Sequence, residues 1–369
     1  MAKHDFLNQL KSRLKRSLLP KQPSNNRGFT LLELLIVVGI AGGIIAGLMY
    51  IVVELLGTDQ REASRSETQR EMQMAMDYIS TELREAVYVY TGESLQCAGL
   101  PTGCQPLSTY LPDSVGTNSI PIIAFWKQEP FPNDVPAGSD RARCFTANPP
   151  AGISCLAGSS YALVVYSLSK ANSGIWSNNA RITRYALTEF NSEGMLNQGY
   201  VNPGSFDNFA IWPFGKATAG SPTTNLQSAA LASGRQVGRP GTTRSVTPAV
   251  LVDFVDGGVG GVRQAPSCPV PGITDPNVVD SYSLSPPGTL LNSTPGFAGV
   301  RGFFACVSRR TTTVNGVTTE VDTGLNQDVI LYVRGNANGR PGVIGDVFLP
   351  SLETRVLSRG VRSKLPSSN

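Results

Sequence analysis

Histidine is almost absent from this sequence, and its only copy is His4, close to the N-terminus. Ser-His-Asp and Cys-His catalytic centres need an imidazole, and so do zinc sites that use histidine. The sequence also lacks a GxSxG elbow, a GxGxxG fingerprint and a GxxxxGK phosphate-binding loop. We therefore predict that the chain is not an enzyme and holds neither a metal nor another cofactor.

Basic residues are scarce outside the N-terminus. The chain has 31 lysines and arginines and 27 acidic residues, a formal net charge of +4. Seven of the basic residues, but only one acid, Asp5, lie within the first 28 positions. Without this segment 24 basic residues face 26 acidic ones, so the mild basicity of the whole chain does not indicate nucleic-acid binding.

Charge is missing altogether from the twenty residues Leu34–Val53. A helix needs about 20 apolar residues to cross a hydrocarbon core about 30 Å thick. Basic residues precede the run and Glu54 and Asp59 follow it, so the positive-inside rule predicts a cytoplasmic N-terminus and places residues 54–369 across the membrane. A signal peptide fits less well, because its apolar region spans only about 7–15 residues. A plain membrane anchor remains an alternative.

No two cysteines form a CxxC pair, which disfavours a redox site or a zinc knuckle. All six cysteines follow the apolar run, an even number in a segment predicted to be exported, so we expect disulfides. Sequence does not fix their connectivity. Pairing each cysteine with its nearest neighbour gives Cys97–Cys104, Cys144–Cys155 and Cys268–Cys306, each stabilising by about 2–4 kcal/mol.

The helical pattern continues beyond the apolar run. Residues 54–90 contain no proline, and their apolar residues recur at helical spacing opposite acidic ones such as Glu82. The apolar stripe consists of Met72, Met76, Ile79, Leu83, Ala86 and Tyr90. We predict one helix of about sixty residues, with a part at 29–56 that suits a membrane or a core of other apolar helices, an amphipathic part at 57–91 and a weak point at Gly57.

The composition changes after Thr91. Residues 92–369 hold most of the glycine and proline, with short β-branched and aromatic runs between them. The predicted strands are 120–126, 161–168, 181–188, 249–255, 302–308 and 328–334. The second and third should form a hairpin, the last should be a central strand, and the polar residues 213–248 should form a surface loop. The predicted fold class is α+β, a long N-terminal helix packed on a disulfide-bonded head of antiparallel sheet.

The stretch RGFTLLELLI, residues 27–36, places Glu33 inside the apolar run. A carboxylate at the centre of a membrane helix costs about 2.5–3.5 kcal/mol, so it should have a partner. A cut between Gly28 and Phe29 would create an α-amino group four residues before Glu33. In a helix bundle this amine can also meet the glutamate of a neighbouring chain and fix the axial stagger between the chains.

Residues 27–35, RGFTLLELL, resemble the cleavage and methylation signal of type IV pilins and type II secretion pseudopilins. The resemblance implies that a prepilin peptidase cuts after Gly28, leaving 1–28 as a cytoplasmic leader, and N-methylates Phe29. It implies that Glu33 neutralises the N-terminus of a neighbouring pilin during assembly. The implied partners are other pilins or pseudopilins, an inner-membrane assembly platform and a motor ATPase. The implied location is the inner membrane before assembly and a periplasmic or cell-surface filament afterwards.

The head, residues 92–369, is similar to the large minor pilins of the PilW-like group, and LNQDVILYVRGNANG, residues 325–339, is similar to cyanobacterial pseudopilins linked to hormogonium polysaccharide secretion. A head of this size favours a minor subunit. So does Tyr50, which stands where many major pilins have proline. Because the chain retains Glu33, the resemblance argues against the tip-most pseudopilin.

Gly39, Gly43 and Gly47 follow one another at intervals of four. Small residues at this spacing let helices approach closely in a membrane. Alternatively, they mark where the helix loosens during extraction, since each glycine costs about 1 kcal/mol of helix propensity. We predict that they serve assembly.

Two other functions remain as alternatives. The head could bind DNA or a surface through arginines near the C-terminus, with salt-dependent affinity in the case of DNA. These are Arg301, Arg309, Arg310, Arg334, Arg340, Arg355, Arg359 and Arg362. A membrane-anchored carbohydrate-active enzyme would need a carboxylate pair, for which Asp253 and Asp256 in VDFVDGG are the nearest candidates.

Overall fold

A computed structural model of the protein describes residues 28–96, 107, 111, 115, 118–149, 155, 158–171, 174–197, 200, 203, 216–218, 221–223, 248–258, 267–270, 278–314, 317–320 and 326–359. The chain divides into two compact units, Met1–Thr58 and Asp59–Asn369. Residues 1–27 of the predicted leader, Cys97 and Cys104 lie outside the described residues, and so does most of the predicted loop at 213–248.

The first unit is described from residue 28 onward, and its main element is the beginning of the long helix α1, Leu31–Arg84. Every residue of 28–58 is exposed. Leucine, isoleucine, valine and methionine dominate this stretch, and no other side chain within residues 28–58 covers them. The sequence explains the helix, because the run contains no proline and opens with Thr30, a residue type that caps helices.

In the second unit α1 is amphipathic. Its buried apolar residues are Met72, Ala75, Met76, Ile79 and Leu83. They recur at the spacing of the predicted stripe and pack in the main core of the head. The stripe is therefore confirmed as a buried face, except that Glu82, predicted to lie opposite it, is buried as well with 7% of its surface exposed.

The helix ends earlier than the sequence predicts. It stops at Arg84, and Ala86–Val89 form strand β1 instead of a further helical turn. Ala86 and Tyr90 are completely buried, as the pattern suggested, but as part of a strand segment. The reason is tertiary: Val87, Tyr88 and Val89 are β-branched or aromatic residues that pack well in a sheet, and β1 pairs with the strand Ser119–Pro130, β2. The predicted amphipathic helix at 57–91 is wrong in its last seven residues.

The first large sheet has five antiparallel strands in the order β1-β2-β3-β4-β7. Its remaining strands are β2, Ser119–Pro130; β3, Ser159–Ser169; β4, Ala180–Leu187; and β7, Ala249–Val255. β3 and β4 pair as the predicted hairpin, with Tyr166 opposite Arg184. The four strands predicted between residues 120 and 255 all belong to this sheet.

The second large sheet also has five antiparallel strands. They are β8, Val278–Ser285; β9, Phe303–Val314; β10, Val317–Glu320; β11, Asp328–Val333; and β12, Leu352–Leu357. β11 lies between β9 and β12, so the prediction of a central strand is confirmed. The sequence did not reveal β1, β8, β10 or β12.

Smaller elements complete the described part of the head. Short helices occupy Gly92–Gln96 (α2), Asp140–Arg143 (α3) and Gly288–Ser293 (α4). Lys216–Thr218 (β5) and Ser221–Thr223 (β6) form a two-stranded sheet inside the segment that was predicted to be a loop.

The main core lies between α1 and the two large sheets. It contains Met76 and Ile79 of α1, Phe125 and Val164 of the first sheet, and Leu331 of the second. A second cluster covers the other face of the first sheet and includes Tyr88, Trp126 and Leu95. The first sheet therefore has apolar residues on both faces, and this explains why β2 and β3 are near-continuous apolar runs.

A buried glutamine joins the two large sheets. The side chain of Gln327, next to β11, accepts a hydrogen bond from the backbone N–H of Val89 at 2.7 Å and donates one to its carbonyl at 2.8 Å. Gln327 thereby satisfies both backbone groups of Val89 on the edge strand β1, as a neighbouring strand would.

Backbone contacts join the sheets at a second place. The N–H of Asp256 donates to the carbonyl of Arg334 at 2.9 Å, and the N–H of Arg334 donates to the carbonyl of Gly302 at 2.8 Å. A Cβ atom at position 302 would lie 1.8 Å from the Asp256 carbonyl oxygen. Glycine is required at this position because two backbones approach each other there.

Candidate functional site

The candidate site of processing and assembly is the beginning of α1. Thr30 caps the helix: its side-chain oxygen accepts a hydrogen bond from the N–H of Glu33 at 3.2 Å, and its carbonyl accepts one from the N–H of Leu34 at 3.1 Å. The pattern Thr-Leu-Leu-Glu is that of a capping box, in which threonine and glutamate stand three residues apart. The cap explains why the helix begins at Leu31.

Glu33 lies in the first turn of α1, where the helix dipole favours a negative charge. Its side chain is exposed, and among the described residues no lysine or arginine forms an ion pair with it. Gly28 and Phe29 precede the helix, and Phe29 is 77% exposed. The structure therefore brings Glu33 together with Thr30, while the predicted cleavage site lies in the two exposed residues just before the helical cap.

Gly39, Gly43 and Gly47 are exposed positions of α1. A Cβ atom built at any of them would meet no other described atom within 4 Å. Among the residues that the structure describes, nothing packs closely against these glycines.

The part of α1 around these glycines is long and apolar enough to cross a membrane, and its most apolar 18-residue window is not buried within the chain. From Ser64 onward the same helix buries one face in the head. α1 therefore has two parts. The first is apolar on all sides, and the second is apolar on one side only.

Four of the six cysteines are described, and they form two bridges of the predicted nearest-neighbour set. Cys144 and Cys155 have their Cα atoms 5.0 Å apart, and Cys268 and Cys306 have theirs 5.6 Å apart. The second bridge ties residue 268 to the middle of β9. Cys97 and Cys104 lie outside the described residues.

Asp253 and Asp256, the candidate carboxylate pair, are each bound to other groups of the head. Asp253 accepts hydrogen bonds from the N–H and the hydroxyl of Ser177, each at 2.7 Å. Asp256 is fully buried and accepts one from Nε of Arg334 at 2.9 Å. Both carboxylates hold chain segments together at the end of β7, and this structural role is enough to explain why the two aspartates are there.

Most of the described C-terminal arginines are paired with carboxylates. The pairs are Arg309–Glu93, Arg310–Asp280, Arg334–Asp256, Arg340 with Glu67 and Glu71, and Arg355–Asp328. Arg301 donates to the carbonyl of Val300, and Arg362 lies outside the described residues. Charges that are neutralised inside the head give little support to a phosphate-binding surface. In the described part of the chain no three potential ligands cluster as a metal site.

A buried ionic cluster around Glu82 is the polar site that the sequence did not reveal. The carboxylate of Glu82 on α1 receives Nε and Nη2 of Arg184 at 2.9 and 2.8 Å and Nζ of Lys127 at 2.8 Å, and Tyr166 donates its hydroxyl to it as well. Burial alone would raise the pKa of Glu82, but the hydrogen bonds from Arg184, Lys127 and Tyr166 lower it to about 2. Arg184 within the apolar run RITRYAL was the available signal, because a cation in a buried strand needs a nearby acid.

The comparison with known families concerns the N-terminal segment. The family model of the prokaryotic N-terminal methylation motif matches residues 23–49, which include the capped start of α1 and most of its apolar part. No curated protein and no solved structure matches the chain. The motif supports a type IV pilin-like protein, and the apolar N-terminal helix and the α+β head with antiparallel sheets and disulfides fit such a fold.

Proposed function

We propose that this protein is a minor pilin or pseudopilin, a structural subunit of a type IV pilus or of a type II secretion-like pseudopilus. A prepilin peptidase cleaves it after Gly28 and methylates the new amine of Phe29. It then leaves the inner membrane for a filament that serves motility, adhesion or secretion, including the secretion of polysaccharide. The work of assembly comes from a separate motor ATPase acting through an assembly platform.

The observation that carries this proposal is the exposure of α1 before the head begins. All twenty residues Leu34–Val53 are exposed, although the segment has no charge. Apolar surface of this extent is unfavourable in water, because burial contributes roughly 25 cal/mol per Å². The lipid bilayer covers it first, and the helices of other pilins cover it after assembly. The methylation motif at 23–49 supports this order of events.

The electrostatic part of the proposal concerns Glu33. Thr30 binds the backbone N–H of Glu33 and not its side chain, and among the described residues no lysine or arginine forms an ion pair with the Glu33 carboxylate. The new amine of Phe29 on an adjacent subunit supplies a cation in the low-dielectric filament core, where an unpaired charge is strongly penalised. The pair also fixes how far one subunit is displaced along its neighbour.

The three glycines give this packing its geometry. A side chain at Gly39, Gly43 or Gly47 would meet no described atom of its own chain within 4 Å, and this supports a role for the three glycines in contacts between chains. Helices that pack against a row of glycines approach closely and gain van der Waals contacts, which can hold them together in a membrane where the hydrophobic effect does not act between them. The size of the head, about 280 residues after α1, favours a subunit present in few copies over the one that builds the shaft.

Filament fractionation tests the proposal. Filaments sheared from cells should contain the chain beginning at Phe29, and cells without prepilin peptidase should keep the full-length chain in the inner membrane. If the chain in peptidase-deficient cells is as short as in normal cells, the proposed processing is wrong.

A further inference from the structure

Arg181, the second residue of β4, is a buried cation. Only 3% of its surface is exposed. Its Nη1 atom has no hydrogen-bond partner, and among the described residues no carboxylate forms an ion pair with it. The ring of Trp176 lies 5.9 Å from the guanidinium carbon, and such a cation–π contact offsets only part of the cost of burying a charge. Because arginine does not lose its proton in proteins, this charge needs a counter-charge.

Hydroxyl groups accompany Arg181 on its face of the first sheet. β3 pairs with β4 so that Ser169 lies opposite Arg181 and Ser167 lies opposite Thr183. Side chains at opposite and at alternate positions of paired strands share one face of a sheet. All three hydroxyl residues are at least nine-tenths buried. This end of the sheet therefore holds a buried polar patch around one guanidinium.

Ser167 is a second group without a partner. It is 1% exposed, and its Oγ atom is buried and forms no hydrogen bond. Across the pairing of β3 with β4, Ser167 is the diagonal neighbour of Arg181, a separation of about 7–8 Å that a long side chain can span. Buried polar groups that find no partner in their own chain usually bind water or an ion. Two such groups at neighbouring positions indicate a ligand that they share.

The ligand that fits this patch is an anion. Water would satisfy the hydrogen bonds but would leave the charge of Arg181 without compensation, and a buried charge without a counter-charge is strongly penalised. A guanidinium only donates hydrogen bonds, and a serine hydroxyl can donate one. Asp253 lies in the part of β7 between the partners of Ala180 and Ile182, but it already accepts two hydrogen bonds from Ser177. β7 therefore does not supply the counter-charge.

We propose that Arg181 and Ser167 bind a small anion, chloride, inside the head. Both side chains are buried, which excludes a large ligand, and a single negative charge between them pairs with the guanidinium and accepts the hydroxyl hydrogen. The site goes beyond the proposed function, because it does not depend on other subunits. A ligand that binds only the folded chain stabilises it, so the stability of the head rises with the chloride concentration around it.

Thermal unfolding of the full chain in detergent tests the site. Sodium chloride is compared with sodium gluconate at equal ionic strength, because gluconate is too large for a buried site. With chloride in about tenfold excess over its dissociation constant, we expect the midpoint to be about 4 °C higher than in gluconate. Arg181→Leu should remove this difference, whereas Arg143→Leu, at a side chain that is 48% exposed, should keep it. Equal midpoints of the unsubstituted chain in the two salts would overturn the site.

Ser167→Ala separates an anion ligand from an unused hydroxyl. If the hydroxyl binds chloride, alanine should raise the chloride concentration needed for half of the stabilisation about tenfold and lower the midpoint in chloride. If the hydroxyl binds nothing, its removal should raise the midpoint, because an unsatisfied buried group costs stability. A higher midpoint with unchanged chloride dependence would therefore contradict the proposal.

Bromide gives a direct readout, because its anomalous scattering distinguishes it from water. Crystals of the full chain grown with bromide in place of chloride should show an anomalous peak between Nη1 of Arg181 and Oγ of Ser167. A water molecule without anomalous signal at this position, or an acidic side chain of the chain itself, would overturn the anion site.

Discussion

Glu82 on α1 and Arg184 on β4 form a two-pronged ion pair, with Nε to Oε2 at 2.9 Å and Nη2 to Oε1 at 2.8 Å. The pair fastens the amphipathic part of the helix to the centre of the first sheet. Lys127 on β2 and Tyr166 on β3 bind the same carboxylate. The amphipathic part of α1 and the first sheet are therefore held together within the second unit.

Removal of the Glu82 carboxylate should destabilise the head. Glu82→Ala removes the buried carboxylate that pairs with the partly buried Arg184 and Lys127, and breaking a buried pair in this way costs about 3–5 kcal/mol. Glu85→Ala is the control, because the Glu85 side chain is 59% exposed and an exposed pair contributes about 0–1 kcal/mol. Denaturation by urea, followed by tryptophan fluorescence, measures both. A loss as small for Glu82→Ala as for Glu85→Ala would contradict the role of the cluster.

Acid should weaken the same contact. The pKa of Glu82 in the folded chain is about 2, below its ordinary value of 4.5. An acid whose pKa is lowered by folding stabilises the folded chain at any pH above its pKa in the unfolded chain. This stabilisation is lost as the pH falls toward and through its pKa in the folded chain. The contribution is thus complete above pH 4.5 and disappears toward pH 2. The free energy of unfolding should fall less steeply over this range in Glu82→Gln, and parallel curves for the two proteins would show that Glu82 does not cause the acid sensitivity.

Gln327 should matter although it is neither charged nor part of a large sheet. Gln327→Ala leaves the N–H and the carbonyl of Val89 buried without partners, and each unsatisfied group costs about 1–3 kcal/mol. Gln128→Ala, at an exposed position of β2, is the control and should change the free energy of unfolding by at most about 0.5 kcal/mol. Thermal unfolding of the three proteins compares them, and similar midpoints for both variants would argue against the bridge between the sheets.

Residues 28 and 33 should act at different steps. Gly28→Ala should be cleaved nearly normally, because alanine is also small, whereas Gly28→Leu should accumulate as precursor. Glu33→Ala should insert and be cleaved but enter filaments poorly, since the amine of its neighbour then has no carboxylate. Immunoblots of membranes and sheared filaments distinguish the steps. Equal cleavage of both Gly28 variants would refute the cleavage site, and normal incorporation of Glu33→Ala would refute the charge pair.

The sequence revealed features that depend on local pattern. The runs that became β2, β3, β4, β7, β9 and β11 were recognised because buried strands are rich in β-branched and aromatic residues. The bridges Cys144–Cys155 and Cys268–Cys306 match the pairing of nearest neighbours. The apolar part of α1 was recognised from the uncharged run Leu34–Val53, but the cap at Thr30, which sets the start of the helix at Leu31, was not predicted.

Features that depend on contacts between distant residues were missed. Nothing near Arg84 ends the helical pattern; the helix stops there because Val89 and its neighbours pair with β2. Glu82 reads as a surface residue until Arg184, more than 100 positions away, is placed beside it. Gln327 gives no signal at all, since its role depends on Val89, 238 positions earlier in the chain.

The intact mass of the protein from sheared filaments tests the central claim most directly. The account predicts a chain that begins at Phe29, carries one methyl group on its α-amino nitrogen and has all six cysteines oxidised in pairs. A protein that still begins at Met1, lacks the methyl group and is found only in the membrane would contradict it.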